Sequence, residues 1–416
     1  MKSIQFILFH ILTYTCITIS AERPQKAVIN VPIADLVGQQ ITSMRPDQSP
    51  QTAYNSIALC GGKTNSTYSC PRLHQALYND IVEVIKTTED EAYIRIPQTY
   101  YLTPSSSTPQ SYYWVLKTNI TPLEELTQCN IPTNHLPEPI DFSNNNQQSL
   151  YIPDIITLIE PHYDPTLQKT FSVGTRFMRT PTITKKKNTI EVFAINYQTH
   201  QEFNIKIPVY KCMMINDQKS SPERITDYVH LLKKWAHTKH GCIPYTWGGT
   251  SFAHTTQGNF KEVMHTTTNG DYSAYEYEND THCTKSGFDC SGVIARATQI
   301  CGIPYFCKNT TTIAQCLQPL EKDMVVSPGD LILIKGHVMA VSDTTKNLLI
   351  EARSYAHGYG KLHEIPLSQI FDGIETYQDL TDAYLNKSVI KLKDKQGKVR
   401  ATFANLQLFS MASVMK

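Results

Sequence analysis

The sequence predicts an α+β fold in which two small all-β regions precede a larger region of mixed helix and strand. Three patterns lead to that reading. Short β-prone runs separated by turn residues occur between residues 81 and 115 and again between 171 and 210. Capped helical periodicity then begins at Ser221 and again at Cys290, and a strand-rich tail starts at Leu331. A chain of 416 residues suits two or three such units, each with enough apolar content for a core.

Lys2 precedes an apolar stretch from Ile4 to Ile19, and Ile19-Ser20-Ala21 offers small residues for cleavage. Residues 1–21 therefore read as an export signal, which places the mature chain in the periplasm or outside the cell. Gln5 and His10 interrupt the stretch, so it is too short and too polar to span a bilayer, and no later segment reaches that length. Residues 22–130 form the first all-β region, with strands at 81–85 and 92–96 around the polar Thr87-Thr88-Glu89-Asp90 turn and another at 112–115. Residues 131–148, rich in Pro and Asn, make the linker. The second all-β region, residues 148–215, has strands at 171–177, 190–197 and 203–210, with Lys185-Lys186-Lys187 as a solvated turn. Strands of this length and spacing predict small barrels.

The third region spans residues 221–416. Ser221 is placed to cap a helix with Pro222 at its first position, Ile225, Tyr228, Val229, Leu232, Trp235 and Ala236 form its apolar face, and Gly241 ends it. Pro244-Tyr245-Thr246-Trp247-Gly248-Gly249 is an aromatic turn whose glycines allow close backbone approach. In Gly287-Phe288-Asp289-Cys290-Ser291-Gly292 the cysteine opens a second helix, with apolar residues at Val293, Ile294, Ala297 and Ile300 and a stop at Gly302. Unpaired N–H groups and the helix dipole at that position favour a thiolate and can hold an oxyanion. Strands at 331–334 and 337–341 reverse at Lys335-Gly336, and a third at 348–352 returns after a polar turn. Counting back from that turn puts Glu351 within one residue of the position opposite His337, so nucleophile, base and orienting acid are all available.

Lys+Arg of 38 against Asp+Glu of 37 leaves no net charge to recruit nucleic acid. Of the 11 cysteines, those left after setting aside Cys16 and Cys290 are odd in number and cannot all pair. Cys60 and Cys70 bracket a polar loop suited to a short disulfide, and Cys307 and Cys316 bracket another short loop. No C-x-x-C pair with matching histidines exists, and His254, His265, His282 and Cys283 read as loop polarity, so no metal is expected.

Taken in order, Pro244-Tyr245-x-Trp247-Gly248-Gly249, Phe288-Asp289-Cys290-Ser291-Gly292, Pro328-Gly329-Asp330-Leu331 and Gly336-His337-Val338 resemble the motifs of bacterial NlpC-type, papain-like cell-wall cysteine peptidases. The resemblance covers residues 221–367, and residues 22–130 and 148–215 look more loosely like the paired bacterial SH3-like domains that precede some members. It implies Cys290 as nucleophile, His337 as base, Glu351 as the third polar residue, and Tyr245, Trp247, Asp289 and Ser291 as substrate-binding residues. It further implies a monomer without cofactor that acts on peptidoglycan stem peptides or muropeptides. The bond cut would lie between D-Glu and the diamino acid, with a free L-Ala amine read near Asp289. Two features depart from the pattern: Glu351 stands where many members have His, Asn or Gln, and residues 250–286, with Tyr272, Tyr275 and Tyr277, insert a lid or cleft wall. A silent wall-binding protein and an acyltransferase on the same scaffold are the alternatives.

Overall fold

A computed structural model describes residues 24–57, 70–103, 106–140, 154–181, 188–215, 218–239, 242–253, 260–267, 270–277 and 286–415, with 260–267 and 270–277 described as backbone. The expected export signal, Cys60, the Lys185–Lys187 turn, Gly241, His254, His282 and Cys283 lie outside the described residues.

The first region is one seven-stranded antiparallel sheet, ordered Arg72–Leu77, Ile33–Val37, Tyr112–Leu116, Glu91–Arg95, Ile81–Thr87, Gln25–Ile29 and Ile120–Pro122. Both faces of this sheet are partly covered: Ala27, Ile29, Val82, Ala92, Ile94, Tyr113 and Val115 meet on one, and Val28, Val37, Trp114 and Leu116 are buried in separate clusters. The second region is built from smaller sheets: Ile155–Leu158 flanked by Arg176–Met178 and Cys212–Met213, and the hairpins His162–Asp164 with Lys169–Phe171 and Thr189–Asn196 with Gln201–Pro208. The single strand expected at 171–177 is instead two strand ends with different partners. Between them Gly174 takes a φ of +84°, and Thr175 N bonds Ser172 O at 3.1 Å, which closes a turn inside an otherwise β-prone run. The pairing does not show closed barrels, and the first region, expected to be all-β, also carries the short helices Ile41–Met44, Pro50–Asn55 and Leu123–Gln128.

In the third region a five-stranded antiparallel sheet runs Lys361–Pro366, Leu348–Arg353, His337–Asp343, Leu331–Ile334, Gln407–Phe409. Its residues alternate between two cores. Leu331, Leu333, Val338, Ala340, Ile350 and Ala352 face the helices Ser221–Ala236 and Cys290–Ile300, whereas Ile332, Ile334, Met339, Val341 and Leu349 face a C-terminal layer containing Leu367, Ile370, Phe371, Leu380 and Leu392. Ser220 rather than Ser221 caps the first helix, because Glu223 reaches back to accept from Ser220 N at 2.8 Å. That helix ends at Ala236, ahead of the expected Gly241.

The two sheet-rich regions are tied to this core by hydrogen bonds. Trp235 stacks on Phe288 with ring centroids 5.0 Å apart and donates its indole N–H to Ile159 O at 3.0 Å. Gln75 of the first sheet accepts from Thr250 N at 3.1 Å, and Arg296 of the cysteine helix donates to Thr250 O at 2.9 Å.

Candidate active site

The start of the cysteine helix is set by close backbone packing. Phe288 and Gly287 pair with Thr250 and Ser251 in a short antiparallel bridge, and Asp289 N bonds Gly249 O at 3.1 Å. A Cβ on Gly292 would stand 2.0 Å from that same Gly249 oxygen, and Gly248 turns at a φ of +69° against the backbone of Arg72. The glycines on both sides of the nucleophile segment are therefore fixed by contact rather than by chain flexibility. Asp289 caps the helix through Gly292 N, which leaves Cys290 in the first turn, 8% exposed.

His337 opens its strand just after the Lys335-Gly336 reversal and hydrogen-bonds Cys290. Its Nε2 lies 2.6 Å from Glu351 Oε2, which leaves Nδ1 for the thiol. The ladder pairs Ala340 with Ile350 and Val341 with Leu349, and a bulge follows before Asp343 pairs with Leu348. Continuing that register sets Arg353 opposite His337, so Glu351 is two positions off rather than within one. The hairpin closes between Asp343 and Leu348, nearer the turn than the count assumes, and the bulge between Val341 and Asp343 takes back one position; the resulting two-residue offset keeps both side chains on one face and leaves them as diagonal neighbours within reach.

Glu351 is fully enclosed. Burial pushes its carboxyl up, but the Arg353 guanidinium and hydrogen bonds from His337 and His363 outweigh this and hold it well below the usual carboxylate range. Oε1 takes His363 Nε2 at 3.0 Å and Arg353 Nη1 at 3.4 Å. Burial alone would lower the His337 pKa, yet its hydrogen bonds to Cys290 and Glu351, with the charge of each, raise it to about 9. The arrangement is a thiol, an imidazole that favours its cationic form, and a buried anion in line.

The residues read as substrate-binding fall into two groups. Trp247 is 48% exposed, and its backbone oxygen accepts from Arg72 Nη1 at 3.0 Å. Tyr245 is buried in the core that contains Cys290, with its carbonyl accepting from the Tyr355 hydroxyl at 2.7 Å. Asp289 and Ser291 are also buried, and they are engaged within the protein. Asp289 Oδ2 pairs with Lys308 Nζ at 2.8 Å, Oδ1 accepts from Gly292 N and from Ser291 Oγ, and Ser291 Oγ also bonds Lys308 O. Sequence reasoning missed Lys308, Arg72, Arg353 and His363. The alternation of Glu351 with Arg353 along one strand was the available signal for the third of these; the other three come from separate elements.

The expected insertion contains an antiparallel hairpin, Phe260–Thr267 with Gly270–Tyr277, whose second strand approaches the Tyr355–His357 turn beside Glu351 and Arg353. Among the described residues no group of three or more His, Cys, Asp or Glu side chains is placed to hold a metal ion.

No protein-family model matches the sequence, and no curated protein matches it. Among solved structures, the chain is similar to an NlpC/P60 family protein from Bacillus cereus, with 16% identity and a TM-score of 0.50 over 85% of this chain and 96% of that one. NlpC2 and NlpC1 from Trichomonas vaginalis overlap at TM-scores of 0.30 and 0.28, with 10% and 8% identity, over 84% of this chain in each case and 94% and 90% of theirs. Those last two scores are too low to bear on the fold. At that coverage the likeness takes in both the sheet-rich N-terminal half and the cysteine region, and the overall fold of this chain is that of an NlpC/P60 protein.

Proposed function

We propose that this chain is an exported cysteine peptidase that hydrolyses peptidoglycan stem peptides at the bond between D-Glu and the diamino acid. The observation that carries the reading is the continuous line from Cys290 through His337 to the buried anion Glu351. His337 takes the thiol proton, and the thiolate attacks the peptide carbonyl. Backbone N–H groups at the start of the helix stabilise the oxyanion, and the protonated imidazole gives its proton to the leaving amine. Water, activated by the same imidazole, then releases the thioester. Glu351 keeps His337 oriented and favours its cation throughout. The exposed face of Trp247 offers a stacking surface for the peptide, and the 260–277 hairpin offers a wall.

Incubating the purified chain with defined muropeptides, followed by mass analysis, tests this reading. Cleavage that disappears in Cys290→Ala supports it. Binding without cleavage would favour the wall-binding alternative, and transfer to an added amine in place of water would favour the acyltransferase. Equal cleavage by Cys290→Ala would sink the assignment of the nucleophile.

A further inference from the structure

Glu351 is met by more donors than its place behind His337 requires. Its Oε2 faces His337 Nε2 at 2.6 Å, while its Oε1 takes His363 Nε2 at 3.0 Å and Arg353 Nη1 at a longer 3.4 Å. Glu351, Arg353 and His363 are all buried. One polar atom in this group is left over. Among the described residues the Nε–H of Arg353 is buried without a hydrogen-bond partner. A donor on a charged group, left unsatisfied in the interior, is costly enough to need a reason.

The acceptor it lacks is close by. A guanidinium presents Nε and a terminal nitrogen as a planar fork, and a carboxylate that turned both oxygens to the fork would satisfy both N–H groups. Glu351 and Arg353 stand two residues apart on one strand and therefore on the same face, and the contact from Nη1 to Oε1 is already half of that pairing. Completing it would take Oε2 away from His337. His363 opposes that turn. It stands directly opposite Glu351 on the neighbouring strand and holds Oε1 at the shorter distance. The His363 ring is itself held edge-on by Tyr359, with centroids 4.6 Å apart at 85°, and the same Tyr359 ring lies 5.1 Å from the Arg353 guanidinium. Arg353 is anchored in turn by Nη2, which donates to Lys393 O at 2.8 Å.

We infer that His363 is a positioning residue for the reaction: by holding Oε1 it keeps the Glu351 carboxylate out of a forked pair with Arg353 and leaves Oε2 to orient His337. This role rests on the assignment of Cys290 as nucleophile and His337 as its base, and His363 acts on them through Glu351. It needs only a neutral imidazole with its proton on Nε2, since the carboxylate oxygen can only accept. The unpartnered Nε–H of Arg353 is then the mark of a pairing that the sheet register prevents.

Iodoacetamide labelling of Cys290 at neutral pH tests this, because it reads the thiolate with no substrate present and so does not depend on whether muropeptides are cleaved. His363→Phe keeps a ring against Tyr359 and removes the donor. Labelling should slow about tenfold in that variant, and where muropeptides are cleaved kcat should fall by a similar factor with KM little changed. His363→Gln returns an N–H donor and should recover most of the labelling rate. Arg353→Lys keeps the charge but has no Nε–H for a fork, so adding it to His363→Phe should also recover labelling, which a packing defect at position 363 would not allow. In the unsubstituted protein, ring nitrogen chemical shifts should place the His363 proton on Nε2, a measurement that needs no variant to fold. Labelling in folded His363→Phe at the unsubstituted rate, no recovery in either rescue variant, or a His363 whose Nε2 is bare would overturn the role.

Discussion

Glu351 stands directly opposite His363 in the sheet and accepts from its Nε2 at 3.0 Å through one oxygen, while its other oxygen faces His337 at 2.6 Å. A carboxylate shared in this way has all its good acceptor directions filled by charged or polar donors, Arg353 included. A neutral amide cannot serve the same set, because one of its two ends is a donor. Glu351→Gln should therefore disturb His337 by removing charge and also by setting an N–H against an imidazole N–H or a guanidinium. Turnover should fall on the order of 10–10³-fold, and iodoacetamide labelling of Cys290 at neutral pH should slow. Near-normal turnover with unchanged labelling would show that Glu351 only packs.

The His337 pKa of about 9 gives the pH dependence a definite sign. Its folded value lies above its ordinary 6.5, so the stabilising effect of the charged pair is fully present below about 6.5 and is lost as the pH rises through about 9. Peptidase activity that relies on the imidazolium should persist across neutral pH and decline above 9. Denaturant titrations at several pH values should show the same loss of stability, and the loss should shrink in His337→Ala. A profile with its alkaline limb near 6.5 would contradict this electrostatic picture.

Much of this site was legible because its parts are local. The Asp-Cys-Ser-Gly cap, the glycines packed around it and the two-residue reversal before His337 each declare themselves within a few residues of sequence. The pairing of His337 with Glu351 was also reachable, since a two-residue offset along a strand preserves the face even where the hairpin closes nearer the turn than the count assumes. Lys308 and Arg72 were not legible. Each reaches the site from another element, Lys308 from the segment before a short helix and Arg72 from the first sheet, and no periodicity in sequence reports such a crossing. The strand expected at 171–177 failed for a local reason, since the Gly174 turn is embedded in residues that otherwise favour strand.

The ion pair between Lys308 and Asp289 bears on which substrates are taken. Asp289 was expected to meet a substrate ammonium, but a protein ammonium lies 2.8 Å from it, and the two side chains are only 3% and 12% exposed. With that charge already matched, stem peptides with free and with acetylated L-Ala should be cleaved at similar rates. Lys308→Met should expose the carboxylate to substrate and shift preference toward the free amine, mainly in KM. It should also destabilise by about 3–5 kcal/mol, because it leaves a buried charge unpaired. Adding Asp289→Asn should recover part of that stability while abolishing the new preference. A strong free-amine preference in the unsubstituted protein would mean that the substrate displaces Lys308.

Arg72 offers the sharpest test of whether the N-terminal, sheet-rich half shapes the cleft. Its guanidinium is fully buried and grips Asp35 at 2.6 and 2.9 Å, and its remaining terminal nitrogen holds the Trp247 carbonyl at 3.0 Å. The first sheet thereby tethers the backbone of Trp247, whose ring is exposed among the described residues before the nucleophile segment. Arg72→Met paired with Asp35→Asn removes both charges together, which avoids the larger penalty of stranding one of them in the interior. The double variant should fold, lose the tether on Trp247 and raise KM for muropeptides several-fold. Labelling of Cys290 by iodoacetamide should stay unchanged, since nothing in the line from Cys290 to Glu351 passes through Arg72. Unchanged KM in a folded double variant would confine the first sheet to a stabilising role, and slowed labelling would mean that Arg72 acts on the nucleophile through the Gly248-Gly249 backbone instead.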